Sequence, residues 1–299
     1  MVELKKIATE QRNPDTMHID TLSTLDMVKL INREDHKVAE AVGLVADKIA
    51  QAVDVIADRL GKGGRLIYCG AGTSGRLGVL DAVECPPTYS TDSEMVQGLI
   101  AGGYPAIFKA VEGAEDSKEL GVSDLKNISF NAGDVLVGVA ASGRTPYVLG
   151  AMEYARELGA VTVSVTCCPG SVLDSFADIG IAPAPGPEVV TGSTRMKSGS
   201  AQKMVLNMLS TGAMIKLGKV YGNLMVDVKP SNEKLIRRCV TIVCAATECD
   251  EAAAVAALEA CDYRPKTAIV MVLCGVDAET ARTMLQKADG RIAGVLKAE

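Results

Sequence analysis

Apolar residues recur in steps of three and four early in the chain. Val38, Val42, Val45, Ile49, Val53, Ile56 and Leu60 share one stripe, which predicts an amphipathic helix over 38–60 ended by Gly61. A short apolar run at 65–69 then enters Gly-Ala-Gly-Thr-Ser-Gly-Arg at 70–76, and a second helix is predicted toward Glu84, stopped by Pro86 and Pro87. The same strand-loop-helix unit recurs from Asp134. The apolar run 135–140 leads into Ala-Ser-Gly-Arg-Thr-Pro at 141–146 and a helix over 147–158, so Ser-Gly-Arg follows a strand twice, at 74–76 and 142–144. Further strands are predicted at 161–165 and 179–181, with a shorter candidate at Val189 and Val190. A loop from Ser193 opens a strongly apolar helix, and Pro230 breaks the chain.

Strands alternating with helices predict an α/β fold, a doubly wound, mostly parallel sheet covered on both faces. Ligands of such sheets collect at the carboxyl ends of the strands, where both Ser-Gly-Arg turns fall. Beyond Pro230 the chain becomes Ala-rich, with candidate helices near 231–247, 250–261, 264–274 and 277–298. The expected organisation is a domain over 1–230 and a small helical domain over 231–299.

With 299 residues, 48% of them hydrophobic and 23% charged, the chain has ample material for a core. A net charge of −6 without any basic block removes the usual footprint of a nucleic-acid or anionic-membrane binder. No apolar run suits a membrane span and the first residues do not read as a leader, so a cytoplasmic protein is expected. Nine scattered cysteines form no CxxC pair and have no nearby histidine, which points to buried reduced thiols and to no metal.

The run at 70–75 matches G-x-G-x-x-G, the fingerprint of dinucleotide sites. A dinucleotide fold also wants an acidic residue about 20 positions on, at the end of a second strand, and residues 88–94 are polar and turn-like. Hydroxyls are the more telling feature: Thr73 and Ser74, then Ser142 and Thr145, then Thr191, Ser193 and Thr194. Glycines let the backbone approach, helix-start N–H groups attract an anion, and hydroxyls complete a cage suited to a phosphomonoester. Alternatively, each Ser or Thr only caps its helix. Arg76, Arg144, Arg195 and Lys197 could add charge to a phosphate site or serve as structural cations.

With only His18 and His36, both near the start, a Ser-His-Asp or Cys-His arrangement has little to draw on. Carboxylates are left as acid and base. Glu84 sits where its helix meets the prolines, and Glu115 in an acidic turn that contains Gly113. At about 1.5 Å per residue, Glu84 would lie roughly 15 Å along its helix from Ser74, so it would have to reach a ligand held by another loop or another subunit.

Taken together, these segments resemble the N-acetylmuramic acid 6-phosphate etherases, a bacterial family built on a sugar isomerase (SIS) domain. The resemblance rests on Thr-Glu-Gln-Arg-Asn-Pro at 9–14, the runs at 70–78, 84–88, 98–103, 111–117, 140–147 and 191–203, and Asn-Leu-Met-Val-Asp-Val at 223–228. Val83, Thr194 and Cys168 depart from the family's usual Ser, Ser and Asn. The resemblance implies cleavage of the D-lactyl ether of N-acetylmuramic acid 6-phosphate, without cofactor, by a homodimer whose sites lie near the subunit interface. It implies Glu115 as the base at carbon 2 and Glu84 as the acid on the departing lactate. It also implies a phosphate cage of Thr73, Ser74, Ser142, Gly143 and Thr145, with Ser193 and Thr194 close by, and a ubiquitin-associated-like C-terminal domain. Because an acid must hold its proton at neutral pH, Glu84 is expected to be the more desolvated glutamate. The competing expectations are a non-catalytic sugar-phosphate sensor and an aldose-ketose isomerase of the same fold.

Overall fold

The computed structural model describes residues 8–228, 230 and 232–297. The chain divides into two compact units, Met1–Val83 with Glu94–Ser210, and Glu84–Ser93 with Thr211–Glu299.

The first unit opens with short 3-10 turns, then α1 (Thr24–Gly43) and α2 (Ala46–Gly61). These replace the single helix expected over 38–60. Ser23 accepts a hydrogen bond from the Asp26 N–H and starts α1 well before Val38. After Gly43 the Val45 N–H bonds Val42 O, three residues back, and this tightened turn leaves Leu44 exposed. Next come β1 (Leu66–Gly70), α3 (Gly72–Tyr89), β2 (Val96–Ile100), α4 (Gly103–Phe108), α5 (Lys118–Asn127) and β3 (Val135–Val139). They are followed by α6 (Pro146–Glu157), β4 (Val161–Val165), α7 (Val172–Phe176), β5 (Ile179–Ile181) and α8 (Lys197–Lys216); the last turns of α3, from Glu84, and of α8, from Thr211, are assigned to the second unit.

Pro86 and Pro87 lie inside α3 instead of stopping it. They fall in its last turn, where each removes one N–H, and the turn is closed by Ser90 N–H to Pro86 O at 3.0 Å. Val189 and Val190 form a bend, not a strand. Strand β2 was not anticipated, because Gln97 and Gly98 interrupt its apolar run.

All pairs in the five-stranded sheet are parallel, in the order β2-β1-β3-β4-β5. The chain leaves β1 outward to β2 and returns to β3 on the other side, so the topological switch lies between β1 and β3. In register, Gly70 stands opposite both Ile100 and Val139, which brings the β1 and β3 exits level. Both strands are buried at every position and continuously apolar, as expected of a covered parallel sheet. On one face, Tyr68 of β1 donates to Asp81 Oδ2 of α3 at 2.7 Å, and Asn207 and Ser210 of α8 donate to Asp81 Oδ1 at 2.7 and 3.1 Å. On the other, Leu125, Leu136, Val148 and Met152 are fully buried in one cluster.

The second unit holds the antiparallel pair β6 (Val220–Tyr221) and β7 (Leu224–Met225), then α9 (Glu233–Thr247), α10 (Glu251–Glu259) and α11 (Pro265–Cys274). Two helices, α12 (Ala278–Lys287) and α13 (Ile292–Val295), replace the one expected over 277–298, because Asp289 and Gly290 turn left-handed between them. Cys239, Val243, Leu258, Ala268, Ile269 and Ala281 are buried in this unit's core. All nine cysteines are free thiols, six of them buried. No helix among the described residues is long and apolar enough to cross a membrane.

Candidate active site

The first Ser-Gly-Arg segment, expected as a loop, is helical: Ser74, Gly75 and Arg76 lie in the opening turn of α3, directly after β1. Its glycines answer a packing demand: a Cβ on Gly75 would stand 2.7 Å from Gly70 O and from Ile100 Cγ1. Only the bare backbone lets α3 start against the ends of β1 and β2. Strand β2 itself ends at Ile100 and runs into Ala101 and Gly102, offering no carboxylate for a ribose.

The second turn leaves β3. Gly143 has φ +65°, and any Cβ there would fall 2.0 Å from Ser171 Oγ. Backbone bonds from Cys167 N–H to Ala141 O and from Leu173 N–H to Gly143 O brace this turn against the exit of β4 and the start of α7. The start of α8 approaches both turns. A Cβ on Gly199 would lie 3.4 Å from Thr73 Cγ2, Ser74 Oγ donates to Gln202 Oε1 at 2.9 Å, and the Cys167 thiol donates to Ser198 O at 3.7 Å.

The hydroxyls differ in whether they cap a helix. Ser23, Ser117 and Ser171 each cap a helix with the side chain, whereas Thr145, at the N-cap of α6, makes no such bond. Among the described residues Thr73, Ser142, Thr145, Ser193 and Thr194 have no side-chain hydrogen bond, and all are part-exposed at this edge of the sheet. Gly143 is buried, and Ser74 is spent on Gln202. Capping therefore does not explain them, and the cluster is left with donors directed to solvent or ligand.

Glu115 is in the 3-10 turn Ala114–Asp116 and lines a cleft of about 200 Å³ with Gly72, Arg76, Ala101 and Val111. Its carboxylate has no hydrogen bond or ion pair among the described residues. Arg76 on the same cleft is partly committed, donating to Ile107 O at 2.9 Å and to Ala106 O at 2.7 Å. Glu84 belongs to the second unit and is exposed, as is Glu115, so the expected difference in burial is absent from the single chain.

The basic candidates separate. Arg144 and Arg195 are exposed, whereas Lys197 is buried and pairs with Glu34 at 2.7 Å, so it is a structural cation. Glu188, fully buried, accepts from the Lys197 and Ser198 N–H groups at 2.9 Å each and thereby satisfies the start of α8. Sequence reasoning missed Glu34, Glu188 and Gln202, whose partners lie far along the chain or in a loop without periodicity. Burial pushes the Cys167 thiol up to about 12, which leaves it un-nucleophilic. His18 and His36 are exposed. No group of three His, Cys, Asp or Glu among the described residues is arranged to hold a metal ion.

Two family profiles match: the glucokinase regulatory protein N-terminal SIS domain over residues 48–156, and the SIS domain over residues 120–212. The chain is 59% identical to a protein of Photorhabdus laumondii named N-acetylmuramic acid 6-phosphate etherase, over 99% of both chains. It is also 59% identical to proteins of the same name from Aeromonas hydrophila, over 97% of this chain and 98% of the other, and Vibrio vulnificus, over 99% and 98%. Among solved structures, a chain from Bacteroides fragilis described as a phosphosugar isomerase involved in capsule formation shares the fold at TM-score 0.50. It is 20% identical, over 66% of this chain and 94% of that one.

Proposed function

The chain belongs to the N-acetylmuramic acid 6-phosphate etherase family, and we infer from this premise that it cleaves the D-lactyl ether of that sugar phosphate by elimination followed by hydration. An unactivated ether resists direct hydrolysis. In the open-chain sugar, however, the proton on carbon 2 lies beside an aldehyde and can be removed by a carboxylate. Glu115 takes that proton, the carbon 3–oxygen bond breaks, and Glu84 protonates the departing lactate oxygen. Water then adds across the double bond, its oxygen to carbon 3 and a proton to carbon 2, giving N-acetylglucosamine 6-phosphate and D-lactate. Overall one water is consumed and no redox change occurs; because the carbon-oxygen bond itself is broken by elimination, the enzyme acts as a carbon-oxygen lyase.

The observation that carries this reading is the set of unpaired hydroxyls, Thr73, Ser142, Thr145, Ser193 and Thr194, beside a cleft lined by the unpaired Glu115. In the proposed complex they hold the 6-phosphate while the glutamate faces the sugar, with Gly143 giving the backbone room to approach and Ser74 oriented by Gln202. The reading also takes the protein to be a homodimer, with Glu84 reaching the substrate across or near the subunit interface. The reading further holds 231–299 to be a small helical domain on a sugar-phosphate domain of 1–230, in a cytoplasmic protein that takes no part in nucleic-acid or membrane binding.

Incubation of the purified protein with N-acetylmuramic acid 6-phosphate in oxygen-18 water, read by mass spectrometry, tests the mechanism. Label at carbon 3 of the sugar with unlabelled lactate is the expected outcome. Label in the lactate instead would mean attack on the lactyl side, and tight binding without lactate would make the protein a sensor.

A further inference from the structure

We propose that the second unit carries its own binding site for a small oxyanion, in the cavity at the N-terminal turn of α11. The cavity measures about 860 Å³, all of its lining residues belong to this unit, and it shares none with the Glu115 cleft. Four cations border it, Lys219, Arg264, Lys266 and Arg282, against two carboxylates, Asp227 and Asp262.

Among the described residues, the charges at its inner end do not balance. Asp227 Oδ2 takes both the Lys266 ammonium at 2.8 Å and the Lys219 ammonium at 3.1 Å, and these three side chains are 14–23% exposed. Two ammonium groups on one carboxylate leave an excess positive charge in partly desolvated surroundings, where it is expensive. Burial pulls Lys266 below the ordinary lysine value, and repulsion from Lys219 adds to this against the attraction of Asp227. At the mouth, Arg264 is exposed and its side chain has no partner among the described residues, while Arg282 pairs only with the exposed Asp262.

The backbone points the same way. Helices α9, α10 and α12 each start under a side-chain oxygen, from Asn232, Asp250 and Asp277, but Arg264 at the N-cap of α11 supplies none. Pro265 has no N–H to satisfy, and the N–H groups of Lys266 and Thr267 find no acceptor among the described residues. Independently, Thr267 lines the cavity and is only 4% exposed as a residue, and its side chain has no hydrogen-bond partner among the described residues. An unpartnered hydroxyl on a largely buried residue, two helix-start N–H groups and an excess ammonium are the donor set that a phosphate or carboxylate group requires.

The test uses the full chain with methyl-labelled valine and leucine, titrated separately with inorganic phosphate and with D-lactate and followed by NMR. Val226, Val228 and Leu285 report on the cavity, and Val111 on the Glu115 cleft. Saturable shifts at the three cavity methyls are expected, and the anion that produces them distinguishes a phosphate-bearing from a carboxylate-bearing ligand. Lys266→Gln should weaken binding at these methyls about tenfold or more, as loss of a charge-assisted hydrogen bond does, without changing the Val111 response. Arg264→Gln alters an exposed side chain and keeps the test decisive should Lys266→Gln misfold; it should weaken binding less. If neither anion moves the cavity methyls, or both variants respond as the parent does, the proposal is wrong. Failure of the catalytic reading would show separately, as absence of lactate release.

Discussion

Lys197 Nζ lies 2.7 Å from Glu34 Oε2, and both side chains are only 1% exposed. The pair joins α1 to the start of α8, and Asn13 completes it by donating to the same carboxylate oxygen at 2.8 Å. The second ammonium contact, to Pro185 O at 3.0 Å, pins the segment that precedes Ser193 and Thr194. Removing Glu34 strands the Lys197 ammonium as a buried charge, and removing Lys197 leaves the buried Glu34 with only the part-exposed Lys37, at 2.6 Å, as a cationic partner among the described residues. Lys197→Met should therefore cost about 3–5 kcal/mol in urea unfolding, and the double variant with Glu34→Leu should recover part of the loss. Additive costs in that cycle would show that the two residues act independently.

The same carboxylate makes stability depend on pH. Burial alone would push Glu34 up, but hydrogen bonds from Lys197, Lys37 and Asn13 outweigh it and hold the group at about 2, against an ordinary 4.5. Because the folded value lies below the unfolded one, the stabilisation is complete above about pH 4.5 and is lost as pH falls toward 2. Over that window the shift corresponds to roughly 3 kcal/mol. Urea midpoints measured from pH 5 to pH 2 should fall more steeply for the parent than for Glu34→Gln, whose curve lacks this component.

Gly143 offers a test of the second turn. An alanine there would take on a left-handed φ of +65° and drive its methyl into Ser171 Oγ, the oxygen that caps α7 through the Asp174 N–H. Gly143→Ala should cost about 2 kcal/mol in thermal unfolding, from strain plus displacement of the cap. If Ser142 and Thr145 hold the phosphate, KM for the sugar phosphate should rise more than kcat falls. The reverse pattern, an unchanged KM with a lower kcat, would remove this turn from the cage.

Period and punctuation made most of the fold legible. Strand β3 is an unbroken apolar run, β4 alternates valine with Thr162 and Ser164, β5 is a short Ile-Gly-Ile run, and both Ser-Gly-Arg segments stand where the parallel topology puts ligands. Strand β2 was hidden because Gly98 is there for packing: a Cβ on it would sit 2.6 Å from Val79 N and Cα. The break between α1 and α2 was hidden because the stripe Val42, Val45, Ile49 runs across it unbroken. In the site, hydroxyl-rich turns could be seen in the sequence, but which hydroxyls stay free could not. That depends on Gln202 taking the Ser74 proton and on Thr145 declining to cap, both settled by tertiary packing. Lys197 read equally well as ligand or strut, and only its distant partner Glu34 decides.

The two glutamates should separate in kinetics because they act on different bonds. If Glu115 removes the carbon 2 proton, Glu115→Ala should lower both solvent exchange at carbon 2 and lactate release, by the roughly hundredfold to ten-thousandfold typical of a lost general base. Glu84→Ala should depress lactate release by a similar factor and leave carbon 2 exchange closer to the parent rate, because the leaving oxygen is protonated after or during elimination. Proton NMR of the sugar phosphate in deuterium oxide reads both processes in one sample. Exchange at the parent rate in Glu115→Ala would move the base elsewhere. Equal loss of both processes in Glu84→Ala would make that residue part of proton abstraction or of substrate binding, and the division of labour between the carboxylates would have to be redrawn.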